Sequence, residues 1–588
     1  MNNFIHCPKQ SLIDHLNKFA KIENVNIMVR KTRLIFIYFF MAVTFLPLCG
    51  KDFVHVFTSK GVYETSEDLW FKCVAFDDST MRVSDRSHTA YVEIIDPSDS
   101  VVWREKYRMS NGMCDGHAYV GDDWKPGEYR MFVHTRGSLG RGDTVVYPKR
   151  LLIVRELPEV PEYLSTAKDQ MQYIDIPDSA RNEGLNVTVI LDSTEYHTRS
   201  KVKATIRVSD ADGNPVRTVV AMSVADALYS YPLADVDIES QVYGVMNDSI
   251  RTECRVFEAF LSDAAVSGHL RSGRKKNTMP LDGQYINVFD EIAKKGAVNI
   301  ISTGSDGYFE VSPEIGSSLG KAILLKPLVD EDFKPRLDID EPFKSIEGYK
   351  NRTVERDYPV IRKNVIKEAE DTLDYSGRKI VRLDEIVVQG KDNIFAKRNK
   401  VIGYLDSLAL SRVGPWVCCG KIVNGEYVGG YLNDFIPGYT HHPLDDPLYA
   451  IRPPQNVSSP ERGKRYRMFK IKWLDSKQTK FEVEELWVVY LGPQYSDEEL
   501  FAMEGMFKSE GYYPKHRFKV PDEDEQLSGM EDFRNTLLWL PRAQTDEKGE
   551  FTVEFPTSDI KSTFRISALI LTPDIRNAKT INEYFSVR

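Results

Sequence analysis

Leu69-Trp-Phe-Lys-Cys-Val-Ala-Phe76 is the stretch on which the fold turns. All of its residues but Lys72 are apolar, and Trp70, Phe71 and Phe76 are aromatic. A run this short, aromatic-rich and bounded by polar sequence reads as a strand rather than a helix. Upstream lies Val54-His-Val-Phe57. Downstream come Tyr91-Val-Glu-Ile-Ile95, Val101-Val-Trp103, His117-Ala-Tyr-Val120, Glu128-Tyr-Arg-Met-Phe-Val133 and Leu151-Leu-Ile-Val154. Asp96-Pro97, Asn111-Gly112 and Lys125-Pro-Gly127 mark turns between them. About seven short strands in roughly 100 residues predict a β-sandwich over 51–157.

Three segments of this unit carry a resemblance. Thr58-Ser-Lys-Gly-Val-Tyr63, Glu67-Asp-Leu-Trp-Phe-Lys72 and Trp124-Lys-Pro-Gly-Glu-Tyr129 resemble a macroglobulin-type domain of the alpha-2-macroglobulin superfamily. The sequence departs from that pattern at Thr65-Ser66, where the family has a Pro-Gly pair. Beyond a linker with scattered prolines, Pro158 to Pro177, a second macroglobulin-type sandwich is expected over 178–265. It has Leu185–Leu191, Glu195-Tyr196, Lys201–Val208, the turn Asp210-Ala-Asp-Gly-Asn-Pro215 and Ala221–Asp226. Thr303-Gly-Ser-Asp-Gly-Tyr-Phe309 is similar to the turn of the transthyretin-like sandwich called carboxypeptidase-regulatory-like, expected over 266–330. Pro342 to Ile366 reads as irregular.

Val381–Gly390, Ile402–Asp406 and a helical Ser407–Arg412 resemble the plug domain of TonB-dependent outer-membrane receptors, giving a plug-like α/β unit over 378–490. The residues after Gly390 do not read as the many amphipathic strands that close a barrel. Tyr495–Leu500 has the capping-box pattern of a short helix. Arg534–Pro541, Thr545–Gly549, Phe551–Phe555 and Phe564–Leu571 resemble the macroglobulin-type sandwich that precedes the thioester region, here within 491–588. The expected class is therefore mainly β: tandem immunoglobulin-like, macroglobulin-type sandwiches with a small α/β plug-like insert. The order resembles that of secreted Bacteroidetes proteins combining such modules.

The chain has 588 residues, enough for about three to five domains. An apolar fraction of 42% supports several cores, and a net charge of -10 argues against general nucleic-acid binding. Met28-Val-Arg-Lys-Thr-Arg33 followed by the apolar run Leu34–Leu48 has the form of a secretory signal peptide over 28–50, the alternative being a single-span anchor. On that reading residues 1–27 are a mis-called start or an unstructured extension. Cys49 stands where a lipoprotein cysteine would stand, although Leu48 before it is bulky.

No catalytic constellation is legible: HExxH and P-loop motifs are absent. The superfamily thioester needs Gly-Cys-Gly-Glu-Gln, and Cys418-Cys419-Gly420 has no such Gln. Cys73 and Cys114 fall in the first sandwich, either as a disulfide or as two small buried residues. His441-His442 with Asp445-Asp446 offers metal-binding atoms, but adjacent side chains point apart and Pro443 suggests a loop. Asp192, Asp210 and Asp212 sit at turns, where Asp bonds backbone amides and where calcium is a weaker option. No cofactor, metal or small-molecule substrate is implied. The expectation is a non-catalytic exported envelope protein that binds a protein partner, with membrane association through a lipid anchor if Cys49 is modified. The alternative is an accessory of TonB-dependent transport that meets an outer-membrane β-barrel.

Overall fold

The computed structural model describes residues 51–139, 144–174, 184–247, 261–273, 279–290, 299–330, 333–350, 353–361, 501 and 505–588 except 528. It also gives the strand backbones 418–423, 426–431, 465–473 and 481–490. Residues 1–50 with Cys49, Val381–Arg412, the His441–Asp446 group and Tyr495–Leu500 lie outside the described residues.

The first sandwich contains β1 (Asp52–Thr58), β2 (Val62–Glu64), β3 (Glu67–Asp77), β4 (Thr89–Ile95), β5 (Val101–Arg108), β6 (Met113–Val120), β7 (Gly127–His134), β8 (Thr144–Val146) and β9 (Lys149–Val154). One sheet has the order β1-β3-β6 and the other β2-β9-β7-β4-β5. Alternate side chains meet between them: Leu69, Phe71 and Cys73 from one, Val92, Tyr129 and Ile153 from the other. Asn111-Gly112 closes the turn before β6 with both residues at positive φ, 51° and 71°. A side chain on Gly112 would run into the Ser84 carbonyl.

The chain continues through helix α1 (Val160–Gln170), β10 (Tyr173–Ile174), β11 (Leu185–Leu191), β12 (Glu195–Tyr196), β13 (Lys201–Asp210), β14 (Val219–Asp226) and helix α2 (Ile238–Asn247). The expected linker Pro158–Pro177 is thus largely α1. Pro161 sits in its first turn, where the missing N–H costs nothing, and Val160 and Ala167 bury the same face. Next come β15 (Val266–Ser272), β16 (Tyr285–Asp290), β17 (Asn299–Ser302), β18 (Tyr308–Val311), helix α3 (Pro313–Leu319), β19 (Ala322–Pro327), β20 (Pro335–Ile339), helix α4 (Pro342–Lys350), β21 (Thr353–Glu355) and β22 (Val360–Ile361). The stretch read as irregular from Pro342 therefore holds a helix and two strands. Its strands are paired elsewhere, β21 with β8 and β22 with β10, both parallel. Such non-local ties leave no local pattern to read.

Strands β23 (Cys418–Val423), β24 (Glu426–Tyr431), β25 (Arg465–Trp473) and β26 (Phe481–Tyr490) form a separate antiparallel sheet, β24-β23-β26-β25. After β27 (Phe507–Glu510), the chain ends with β28 (Thr536–Gln544), β29 (Glu550–Pro556), β30 (Thr563–Leu571) and β31 (Lys579–Val587).

The last four strands correct the expected domain plan. Residues 178–265 and 491–588 do not make two sandwiches; strands from both make one. Its sheets are β11-β13-β29 and β12-β31-β30-β14-β28. Val202, Ile206 and Val208 share a core with Phe555, Phe564 and Phe585. The reason is geometric: β13 and β14 would each be left with unpaired backbone and an uncovered apolar face without β28, β29 and β30. The small sandwich expected over 266–330 also differs in its span. It reaches Ile339 and takes in β27, giving sheets β18-β15-β20 and β17-β16-β19-β27 around Leu270, Val288, Phe309 and Leu325. The whole is mainly β, as the strand runs predicted.

Candidate functional site

The residues that carry the macroglobulin-type resemblance converge on a junction rather than a reaction centre. Lys60 is 2% exposed. Its Nζ donates to Glu67 Oε2 at 2.7 Å and to Asn535 Oδ1 at 2.9 Å. The ammonium also lies 5.1 Å from the Tyr63 ring centroid and 4.2 Å from that of Tyr229. Tyr63 in turn shares a 3.0 Å hydrogen bond with the Ser59 hydroxyl. Asn535 and Tyr229 belong to the composite sandwich, so the motif locks two units together. At Thr65-Ser66, Ser66 adopts φ 70°, the left-handed conformation that the family's glycine takes freely.

The outer face of β1-β3-β6 packs on the sheet of β14, β28 and β30 through Phe57, Trp70, Phe76, Ala221, Trp539 and Leu569. Phe57 and Trp539 stack with centroids 5.6 Å apart. Three ionisable groups are sealed near this junction. His55 Nδ1 is 2.7 Å from Gln241 Oε1, while its Nε2 has no partner among the described residues. Burial brings the His55 pKa down to about 4. His117 is likewise lowered to about 4, by burial and then by His516, whose ring lies 4.5 Å away. Lys72, fully buried and without a hydrogen-bond partner for Nζ, is lowered to about 8 by burial and then by Arg542. Such groups hold their neutral forms more readily than free ones. They are dispersed over an interface and do not surround a cavity.

A strap from β27 into β28 crosses this region. The Tyr512 and Thr89 hydroxyls lie 2.8 Å apart, Tyr513 N donates to Lys106 O at 2.7 Å, and Phe518 sits edge-on to Trp70.

Cys73 and Cys114 stand directly opposite each other on β3 and β6, and both are free, buried thiols. Burial raises the Cys73 pKa, and the adjacent Cys114 sulfur raises it further. Asp192 accepts from Tyr196 Oη at 2.5 Å and Lys203 N at 3.0 Å. Asp210 accepts from Asp212 N and Asn214 N, an Asx-type turn. These carboxylates are engaged in turn geometry. Among the described residues no group of three metal-binding side chains forms.

Sequence reasoning missed an exposed apolar patch. Tyr285 (57% exposed), Ile300 (60%) and Leu328 (46%) lie on the small sandwich. The pairings Tyr285↔Ser302 and Asn287↔Ile300 put Tyr285 and Ile300 on one sheet face, and Leu328 N donates to Tyr285 O beside them.

Fold and junctions together define a mainly β chain of tandem sandwiches. No protein-family model and no curated protein matches it. Among solved structures it is similar to the native conformation of Escherichia coli alpha-2-macroglobulin, with 9% identity, 92% of this chain and 40% of that chain covered, and a TM-score of 0.24. It is also similar to Salmonella alpha-2-macroglobulin reacted with methylamine, with 10% identity, 91% and 39% coverage, and a TM-score of 0.24. An Escherichia coli adhesin, FdeC, matches over 47% of this chain and 59% of its own, with 12% identity and a TM-score of 0.14. The chain spans about two fifths of the length of the macroglobulin structures.

Proposed function

We propose that this is a non-catalytic, exported envelope protein that works as a multi-domain protein-interaction module. The observation that carries the reading is the outward face of Tyr285, Ile300 and Leu328. It includes Ile300 of β17, the terminal strand of its sheet. An apolar face beside a sheet edge suits an extended segment of a protein partner, which would add main-chain hydrogen bonds and seat alternate apolar side chains. Export is supported by the basic and apolar pattern of Met28 to Gly50. A photo-crosslinking amino acid at Ile300, in cells of the native host, tests the assignment. Discrete protein adducts at Ile300 and none at the exposed Thr188 of β11 are expected. Equal labelling at both positions, or none at Ile300, overturns it. Identification of a β-barrel as the adduct would turn the reading toward the transport accessory.

A further inference from the structure

A cavity of about 260 Å³ lies where the first sandwich meets the small one. Tyr91 and Lys106 form one side. Ser262 and Ala264 to Ser267, at the start of β15, form a second. Asp340, Glu341 and Ser345, leaving β20 for α4, form a third, and Ser509 of β27 completes it. At about 30 Å³ per water, it has room for on the order of eight waters or a molecule of similar size.

The charges around it are unusual. Lys106 is 8% exposed, and its Nζ donates to a single acceptor, Ala265 O at 2.6 Å. An ammonium carries three N–H groups, so two remain. Among the described residues no carboxylate lies at ion-pairing distance; of the carboxylates that act on it, Glu510 is exposed and Glu105 is taken by Lys321. Half-buried Asp340 accepts from Ser267 Oγ at 2.6 Å, Glu341 is exposed, and neither has a cationic partner among the described residues. A buried cation is ordinarily paired. Here the buried Lys106 ammonium has no ion-pair partner among the described residues, and two more exposed carboxylates share the lining of the same space.

We propose that this cavity binds a small zwitterion, an α-amino acid or its close analogue, with Lys106 facing the ligand carboxylate and Asp340 and Glu341 facing its ammonium. A simple anion would meet the two carboxylates, and a simple cation would meet Lys106. A zwitterion satisfies both, and the serine hydroxyls serve either end. Because the walls come from two sandwiches, a bound ligand clamps their relative placement. It stabilises the chain in proportion to its occupancy.

Calorimetric titration of the full chain with the proteinogenic L-amino acids, tested singly, decides the matter, with melting temperature as a second readout. At least one is expected to bind and to raise the melting temperature, while acetate and methylammonium at the same concentration do neither. Lys106→Met and Asp340→Asn should each weaken that binding by roughly thirtyfold or more. Lys106→Met should melt no lower than the parent without ligand, because it removes a buried unpaired cation. No binding by any amino acid overturns the proposal. So does binding that Lys106→Met leaves intact, or binding of glycerol in place of a zwitterion.

Discussion

Val202 of β13 lies directly opposite Phe555 of β29. More than half the chain separates them, yet they belong to one antiparallel ladder. The composite sandwich thus closes only when its last strands return to its first, enclosing the small sandwich and the Cys418–Tyr490 sheet between them.

Residues 178–265 expressed alone should show no cooperative thermal unfolding by circular dichroism. Adding residues 531–588 as a separate peptide should restore a cooperative transition, since it supplies β28 to β31. A cooperative melt of 178–265 by itself would contradict the pairing.

Lys60→Ala removes the cation that Glu67 and Asn535 share. It leaves a partly exposed carboxylate that keeps the Glu64 amide, at a cost of about 1–3 kcal/mol. A lowered urea midpoint checks this. Lys60→Ala combined with Glu67→Gln should recover part of the loss.

Ser66→Gly should stabilise the protein. Relief of the left-handed conformation is worth about 1–2 kcal/mol and the added unfolded-state entropy costs about 0.5–1 kcal/mol, for a net gain of about 0.5–1 kcal/mol. The lost Ser66 hydroxyl bond to Asp122 is solvent-exposed and subtracts little. Denaturant titration of the two proteins side by side reads the difference.

Stability should fall in mild acid. His55 titrates near 4 when folded and near 6.5 when free, so the unfolded chain binds more protons between those values. The contribution is full above about pH 6.5, shrinks as the pH drops, and is lost below about 4, amounting to at most about 3 kcal/mol. Its surroundings shape the shift: burial dominates and Lys149 adds to it, while Gln241 and Asp237 oppose it. His117 acts in the same direction. Denaturation midpoints from pH 7.5 to 4.5 measure the slope, and His55→Gln should flatten it.

Some features were legible because they are local. The strands from Val54 to Val154 follow from apolar runs cut by turn residues, and the Lys60, Tyr63 and Glu67 pattern marked a real packing centre. Others had no local signature. Lys579–Val587 is a strand with mostly half-exposed, polar residues, held by the neighbouring β30. Lys106 reads as one charge in an alternating strand, and only the approach of Ala265 and Asp340 from another unit makes it a cavity wall.

By itself, the sequence determined that this chain is a series of β-sandwich pieces, because period-two burial and turn chemistry are written residue by residue. Tertiary structure alone decided which pieces share a core. Backbone pairing between strands depends on edges left open elsewhere in the chain, and β13 finds its second neighbour only in β29.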